Sequence, residues 1–255
     1  MKIIETKEAL EELLSERKGT RPSQKLKETV SSFIKSVMKE GDAAVCEYTA
    51  QFDKCPLSPS KLKVSKREIE NAKCPPDLEK AILRSAESIR AFHEHQLRSE
   101  WREKAPFGGE FGEVYRPVER AGVYVPAGTA PLVSSVLMSV IPAQVAGVKS
   151  VCLATPCDSE GKVNPGILAA CRLLNVKELY RGHGPSLVAA MCLGTRAIPK
   201  VDVIAGPGSA AVTEMKRQLF GTVNVDLIAG PSESLIIADE TAQPRFAAPG
   251  YTHET

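Results

Sequence analysis

The chain has 255 residues, 43% hydrophobic and 25% charged, the composition of a globular protein with enough apolar area for one large core or two smaller ones. A net charge of +2 with only 5% aromatic residues argues against a nucleic-acid surface or a base-stacking platform. No apolar run approaches the roughly 18 residues of a membrane-spanning helix, and the opening MKIIETKEAL lacks the apolar core of a signal peptide. Seven cysteines (Cys46, Cys55, Cys74, Cys152, Cys157, Cys171 and Cys192) include no CxxC pair. That points to reduced thiols and a cytoplasmic location.

In chain order, residues 1 to about 100 read as mostly helical. Thr6 is placed to cap a helix carrying Leu10, Leu13 and Leu14. A second helix carries Leu26, Val30, Phe33, Ile34 and Val37 on one face and stops at Gly41. Asp42 is the expected cap of a third, DAAVCEYTAQFD. Ser65 and Glu68 have capping-box spacing before a short helix, and Asp77 opens a long one. The exposed faces of this half are charged, as in a scaffold.

The character changes near Trp101. FGGEFGEVYRPVERAGVYVP suggests a hairpin leading to an inner strand. Strand and helix then alternate: GVYVP, LVSSVLMSVIPAQVAG, SVCLAT, PGILAACRLLN, ELYR, SLVAAMCLG, VDVIAG, AVTEMKRQLFG and VNVDLIAG. Short apolar strands alternating with helices define an α/β protein with a parallel sheet covered on both faces. The expected organisation is a helical region and hairpin over 1–120, a β-α-β domain over 121–237, and over 238–255 a return to the first, discontinuous domain.

In such a sheet ligands bind beyond the carboxyl ends of the strands. Three loops there draw attention. VPAGTAPLVSS offers Gly128 and a following helix N-terminus, either for an anion or as a tight structural turn. AGPGSAAV places Ser209 at a helix start, where it either contacts a cofactor or caps the helix. AGPSESL repeats the Ala-Gly-Pro turn and offers Ser232 and Glu233; two matching turns suggest a common cleft. The histidines carry less. His93 and His95 point about 200° apart on a helix and cannot share a metal. His183, in RGHGPS, either faces a ligand or, as is commoner for a lone loop histidine, is solvated, and His253 and Glu254 read as a frayed tail rather than a ligand pair. No set of residues has metal-ligand spacing, and there is no Gly-x-Ser-x-Gly elbow.

The segments ERAGVYVPAGTAPLVSSVLMSVIPAQVAGVKSVCLATP, IPKVDVIAGPGSAAVTEMKRQLFG and VDLIAGPSESLIIADETAQPRFAA closely resemble histidinol dehydrogenases. The resemblance implies an intertwined homodimer with two incomplete Rossmann-like domains. It also implies zinc, and two NAD that oxidise L-histidinol through the aldehyde to L-histidine. By the same resemblance, Tyr124 matches a tyrosine of the NAD loop and Ser232 a substrate-contacting serine. Ser186 stands where the family has an NAD-contacting glutamine, and Ser209 where it has an NAD-contacting asparagine. Each change shortens an amide to a hydroxyl and removes donors. The family's zinc ligands and its Glu-His catalytic pair correspond to nothing in this chain, which reads PGYTHET where the metal-binding segment is expected. The expectation is therefore a truncated, inactive form with an exposed apolar edge at 234–238. The alternatives are a non-catalytic nucleotide-binding relative, a subunit completed by a separate C-terminal chain, and a same-family dehydrogenase of another alcohol.

Overall fold

Period-two alternation in the strands decides what each face of the sheet packs against. The computed structural model describes residues 6–8, 10–11, 22–127, 132–230 and 239–243. The chain divides into two units, Pro22–Ile228 and Met1–Arg21 with Ala229–Thr255, and the first holds the sheet. Its strands are β3 (Arg120–Tyr124), β4 (Ser150–Thr155), β5 (Glu178–Arg181), β6 (Val203–Ala205) and β7 (Asn224–Val225), parallel throughout in the order β5-β4-β3-β6-β7. Tyr124, Cys152, Ala154, Tyr180 and Ile204 point to one face. Their neighbours Val123, Leu153 and Leu179 point to the other.

The first face is covered by α1 (Gln24–Glu40), α8 (Gly184–Leu193) and α9 (Ala210–Leu219). Helix α8 is buried from Gly184 to Cys192. It is apolar all round, as a helix sandwiched between the sheet and α1 must be. The second face is covered by α5 (Pro76–Glu94), α6 (Val133–Val145) and α7 (Pro165–Leu173). The doubly covered parallel sheet is the arrangement the alternation predicts. The hairpin is present too, as β1 (Trp101–Lys104) against β2 (Glu110–Glu113), with all of its strand residues exposed.

Several local readings change. Gly41, at φ +58°, ends α1 and is also the N-cap of α2 (Asp42–Phe52). Asp42 is therefore not a cap: its carboxylate accepts from Thr195 Oγ1 and from the Ala197 amide at 3.0 Å, tying α2 to the turn after α8. Between α3 (Pro59–Leu62) and α4 (Lys66–Glu70), Ser65 accepts from the Glu68 amide at 3.1 Å. Glu68 does not return the bond. Its two oxygens instead take Arg181 at 3.0 Å each, which fixes the end of β5. Pro75, not Asp77, holds the N-cap position of α5, and Asp77 lies in its first turn. The strand expected over VNVDLIAG is confined to Asn224–Val225, with one further ladder bond from the Asp226 amide to the Ile204 carbonyl at 3.1 Å. The apolar edge expected at 234–238 lies outside the described residues, as do Gly128, Ser232, Glu233, His253 and Glu254.

Among the described residues no helix is long and apolar enough to cross a membrane. All seven cysteines are free. Burial raises Cys46, Cys152, Cys157, Cys171 and Cys192 above the usual thiol range, the opposite of an activated nucleophile.

Candidate functional site

The strand order reverses between β3 and β6, and beyond the carboxyl ends at such a reversal parallel sheets of this kind hold their ligands in a crevice. One wall is Tyr124, the last residue of β3. The other is the turn Gly206-Pro207-Gly208-Ser209 between β6 and α9. The two walls touch closely. Gly206 sits at φ +113°, and a Cβ there would lie 2.0 Å from the Tyr124 carbonyl oxygen. Only glycine permits both that conformation and that approach.

Tyr124 also reaches a second turn. A Cβ on Gly184, in the turn after β5, would lie 2.2 Å from the Tyr124 hydroxyl oxygen. Tyr124 thus touches the Gly206 turn through its backbone and the Gly184 turn through its ring. Burial, with Asp53 nearby, pushes its phenol above the usual range. It is a neutral wall and hydrogen-bonding group, not a base.

The two serines diverge. Ser209 is exposed and caps α9, accepting from the Val212 amide at 3.4 Å. Ser186 is 0% exposed, and its hydroxyl donates to the His183 carbonyl at 3.0 Å. A ligand cannot reach it in this conformation.

His183 corrects the solvated reading, since it is 9% exposed. Gly182, at φ +143°, lies so close to α2 that a Cβ would meet Thr49 Oγ1 at 2.7 Å. Thr49 Oγ1 accepts the His183 amide at 2.9 Å. The imidazole then stacks on Phe52 at 4.7 Å and meets Phe33 edge-on at 5.4 Å. Nδ1 has no partner, and burial pushes the ring down to about 4. Near neutral pH it is an uncharged member of an aromatic cluster. His93, by contrast, lies on the surface of α5 with its ring 2.6 Å from Gln96 Oε1.

Asp53, at the end of α2, escaped the sequence reading. Burial pushes its carboxyl up to about 6, and its Oδ2 is buried without a partner. Lys216, only 4% exposed, escaped it too. A signal for Lys216 was legible: it shares a helical face with Val212, Met215 and Leu219. A lysine on an apolar stripe needs a buried partner.

An opening of about 490 Å³ lies beyond β4, lined by residues that include Ala127, Cys157, Asp158, Lys162 and Asn164. None of Tyr124, Ser186 and Ser209 lines it. Among the described residues no group of three or more His, Cys, Asp or Glu is arranged to hold a metal ion.

The strand order, with its reversal between β3 and β6, defines an α/β protein built on a parallel sheet covered by helices on both faces. The family model for histidinol dehydrogenase matches residues 16–250, and the chain belongs to that family. It is 39% identical over 252 residues to histidinol dehydrogenase of Lactococcus lactis, covering 97% of this chain and 58% of that protein. It is 43% identical over 222 residues to that of a Synechococcus, covering 86% of this chain and 51% of that one. The solved structure of histidinol dehydrogenase from Elizabethkingia anophelis superposes with a TM-score of 0.83 at 38% identity, over 91% of this chain and 54% of that chain. The chain therefore spans about half the length of the relatives it matches.

Proposed function

We propose that this chain forms the nucleotide-holding part of an NAD-dependent alcohol oxidation whose substrate is L-histidinol. The observation that carries the reading is Ser209, exposed at the head of α9 on one wall of the switch-point crevice whose other wall is Tyr124, in a chain of this family. NAD, when bound, supplies the hydride acceptor. The chain's residues orient it: Ser209 donates its hydroxyl proton, and Tyr124 forms the wall on the far side. Ser186 acts indirectly, by fixing the first turn of α8. Ser232 is proposed as a substrate contact on the strength of the resemblance.

The metal stands differently. Zinc belongs to the family's chemistry by resemblance, but the described residues offer it no donor set, so no step is routed through it. Nor does any residue of this chain match the family's Glu-His pair. We therefore propose that these 255 residues by themselves bind NAD without oxidising histidinol. A complementary C-terminal chain in the cytoplasm would be needed for turnover. Loss of a general base alone costs on the order of 10²–10⁴-fold.

Calorimetry with NAD and a zinc-supplemented histidinol assay on the purified chain test this together. The expected result is NAD binding with no reduced nicotinamide formed. Turnover by the chain alone would refute the inactivity, and absence of NAD binding would refute the nucleotide role.

A further inference from the structure

We propose that Lys216 and Asp226 are positioning residues of the nucleotide site, an ion pair between a buried lysine and a part-exposed carboxylate that sets the backbone of the Gly206 turn and thereby the place of Ser209. The inference rests on the nucleotide role proposed for that turn.

The geometry is a closed ring of charge-assisted bonds. Lys216 Nζ donates to Asp226 Oδ1 at 2.7 Å and to the Gly206 carbonyl. Asp226 Oδ2 accepts the Gly206 amide at 2.8 Å. Both polar backbone groups of one glycine are therefore held by one ion pair. The pair joins three pieces of chain that form one side of the crevice. Lys216 comes from the second turn of α9, Asp226 follows β7, and Gly206 begins the turn that ends at Ser209. Asp226 is itself anchored, since its amide donates to the Ile204 carbonyl at 3.1 Å.

A buried lysine is a costly way to fill space. A leucine or methionine would pack the same helix face without desolvating a charge. What an apolar residue cannot do is satisfy Gly206, which is pressed against the Tyr124 carbonyl in a left-handed conformation. With neither its amide nor its carbonyl held, the turn is free to relax away from Tyr124. Ser209 would move with it, and displacements of about 1 Å are enough to spoil a binding geometry. The ion pair thus fixes a strained turn where a ligand contact must be placed accurately.

The test uses the full chain with Lys216→Met, and with the double variant Lys216→Met/Asp226→Leu, which removes the ion pair without leaving a lone charge. Three readouts are compared with wild type: melting temperature, amide exchange across Gly206–Ser209, and NAD affinity by calorimetry. The single variant is expected to melt earlier, exchange the Gly206 amide at least tenfold faster and bind NAD at least tenfold more weakly. The double variant is expected to regain much of the melting temperature but neither the exchange protection nor the affinity. That separation distinguishes positioning from general stability. Wild-type exchange at Gly206 in either variant overturns the clamp. Wild-type NAD affinity in the double variant overturns its role in binding. If wild type itself binds no NAD, the proposed function and the positioning role fall together, while the exchange data still decide whether the clamp holds the turn.

Discussion

The connections that follow β5 and β6 leave the same end of the sheet, touch the same tyrosine and carry a serine at or near the start of the next helix, yet the molecule uses them in opposite ways. The turn at 182–186 is sealed. Gly182 packs on Thr49, His183 is enclosed by Phe33, Tyr48 and Phe52, and the Ser186 hydroxyl is turned back onto its own helix. The turn at 206–209 is open at its tip and charged at its base. Ser209 faces solvent, and Lys216 with Asp226 holds Gly206 from beneath. The difference follows from what lies behind each turn. The first precedes α8, a helix buried on every side, so its residues become core. The second precedes α9, which is amphipathic, and its Pro207, Gly208 and Ser209 are exposed.

The contrast is sharpest at the glycines. Gly206→Ala must place a Cβ 2.0 Å from a backbone oxygen at φ +113°. It is expected to cost about 3 kcal/mol or more. Gly184→Ala meets the end of the Tyr124 side chain instead and lies within a helix that favours alanine. Its expected cost is about 1 kcal/mol. Urea midpoints for the two variants measure the difference, and equal losses would mean that the Gly206 turn can relax.

The next effect is a pH dependence that belongs to the sealed side alone, where His183 and the end of α2 meet. His183 falls from 6.5 to about 4 on folding, so the unfolded chain takes up its proton first. Stability should drop with falling pH between those values by up to about 1.4 kcal/mol per unit. Asp53 rises from 3.8 to about 6, which works in the other direction: its contribution is full below 3.8 and is lost as pH rises through 6. The two nearly cancel in the native chain between about 4 and 6. His183→Phe, which keeps the aromatic cluster, should leave a protein that weakens as pH rises through that window. Asp53→Asn should leave one that strengthens. Denaturation midpoints taken across the window that run parallel in both variants would contradict these assignments.

The smallest effects concern the serines. Ser209→Ala removes a helix cap and should cost about 1 kcal/mol, with weaker NAD binding besides. Ser186→Ala removes a bond to a carbonyl that already accepts the Leu187 amide at 2.9 Å, and should cost no more than about 0.5 kcal/mol. NAD affinity lost at Ser186 and kept at Ser209 would reverse the reading of the two turns.

Much of this molecule was legible in its sequence because the information is local. Alternation of Val123 with Tyr124 and of Leu153 with Cys152 and Ala154 sets the two faces of the sheet. The near-continuous apolar run of α8 marks a helix with no wet side, and the Gly-Pro turns mark the strand ends. The long motif segments brought the family with them. Side-chain partnership was not legible in the same way. Nothing near Asp42 announces that Thr195 and Ala197 will claim its carboxylate, or near Glu68 that Arg181 will claim both its oxygens. His183 and Ser186 sit in a polar-looking loop that only the approach of α2 turns into core. Spacing along the chain fixes which way a residue points within its own element. Whether it then meets solvent, an aromatic ring or an opposite charge depends on elements up to 191 positions away in sequence, and only the packed fold brings those together.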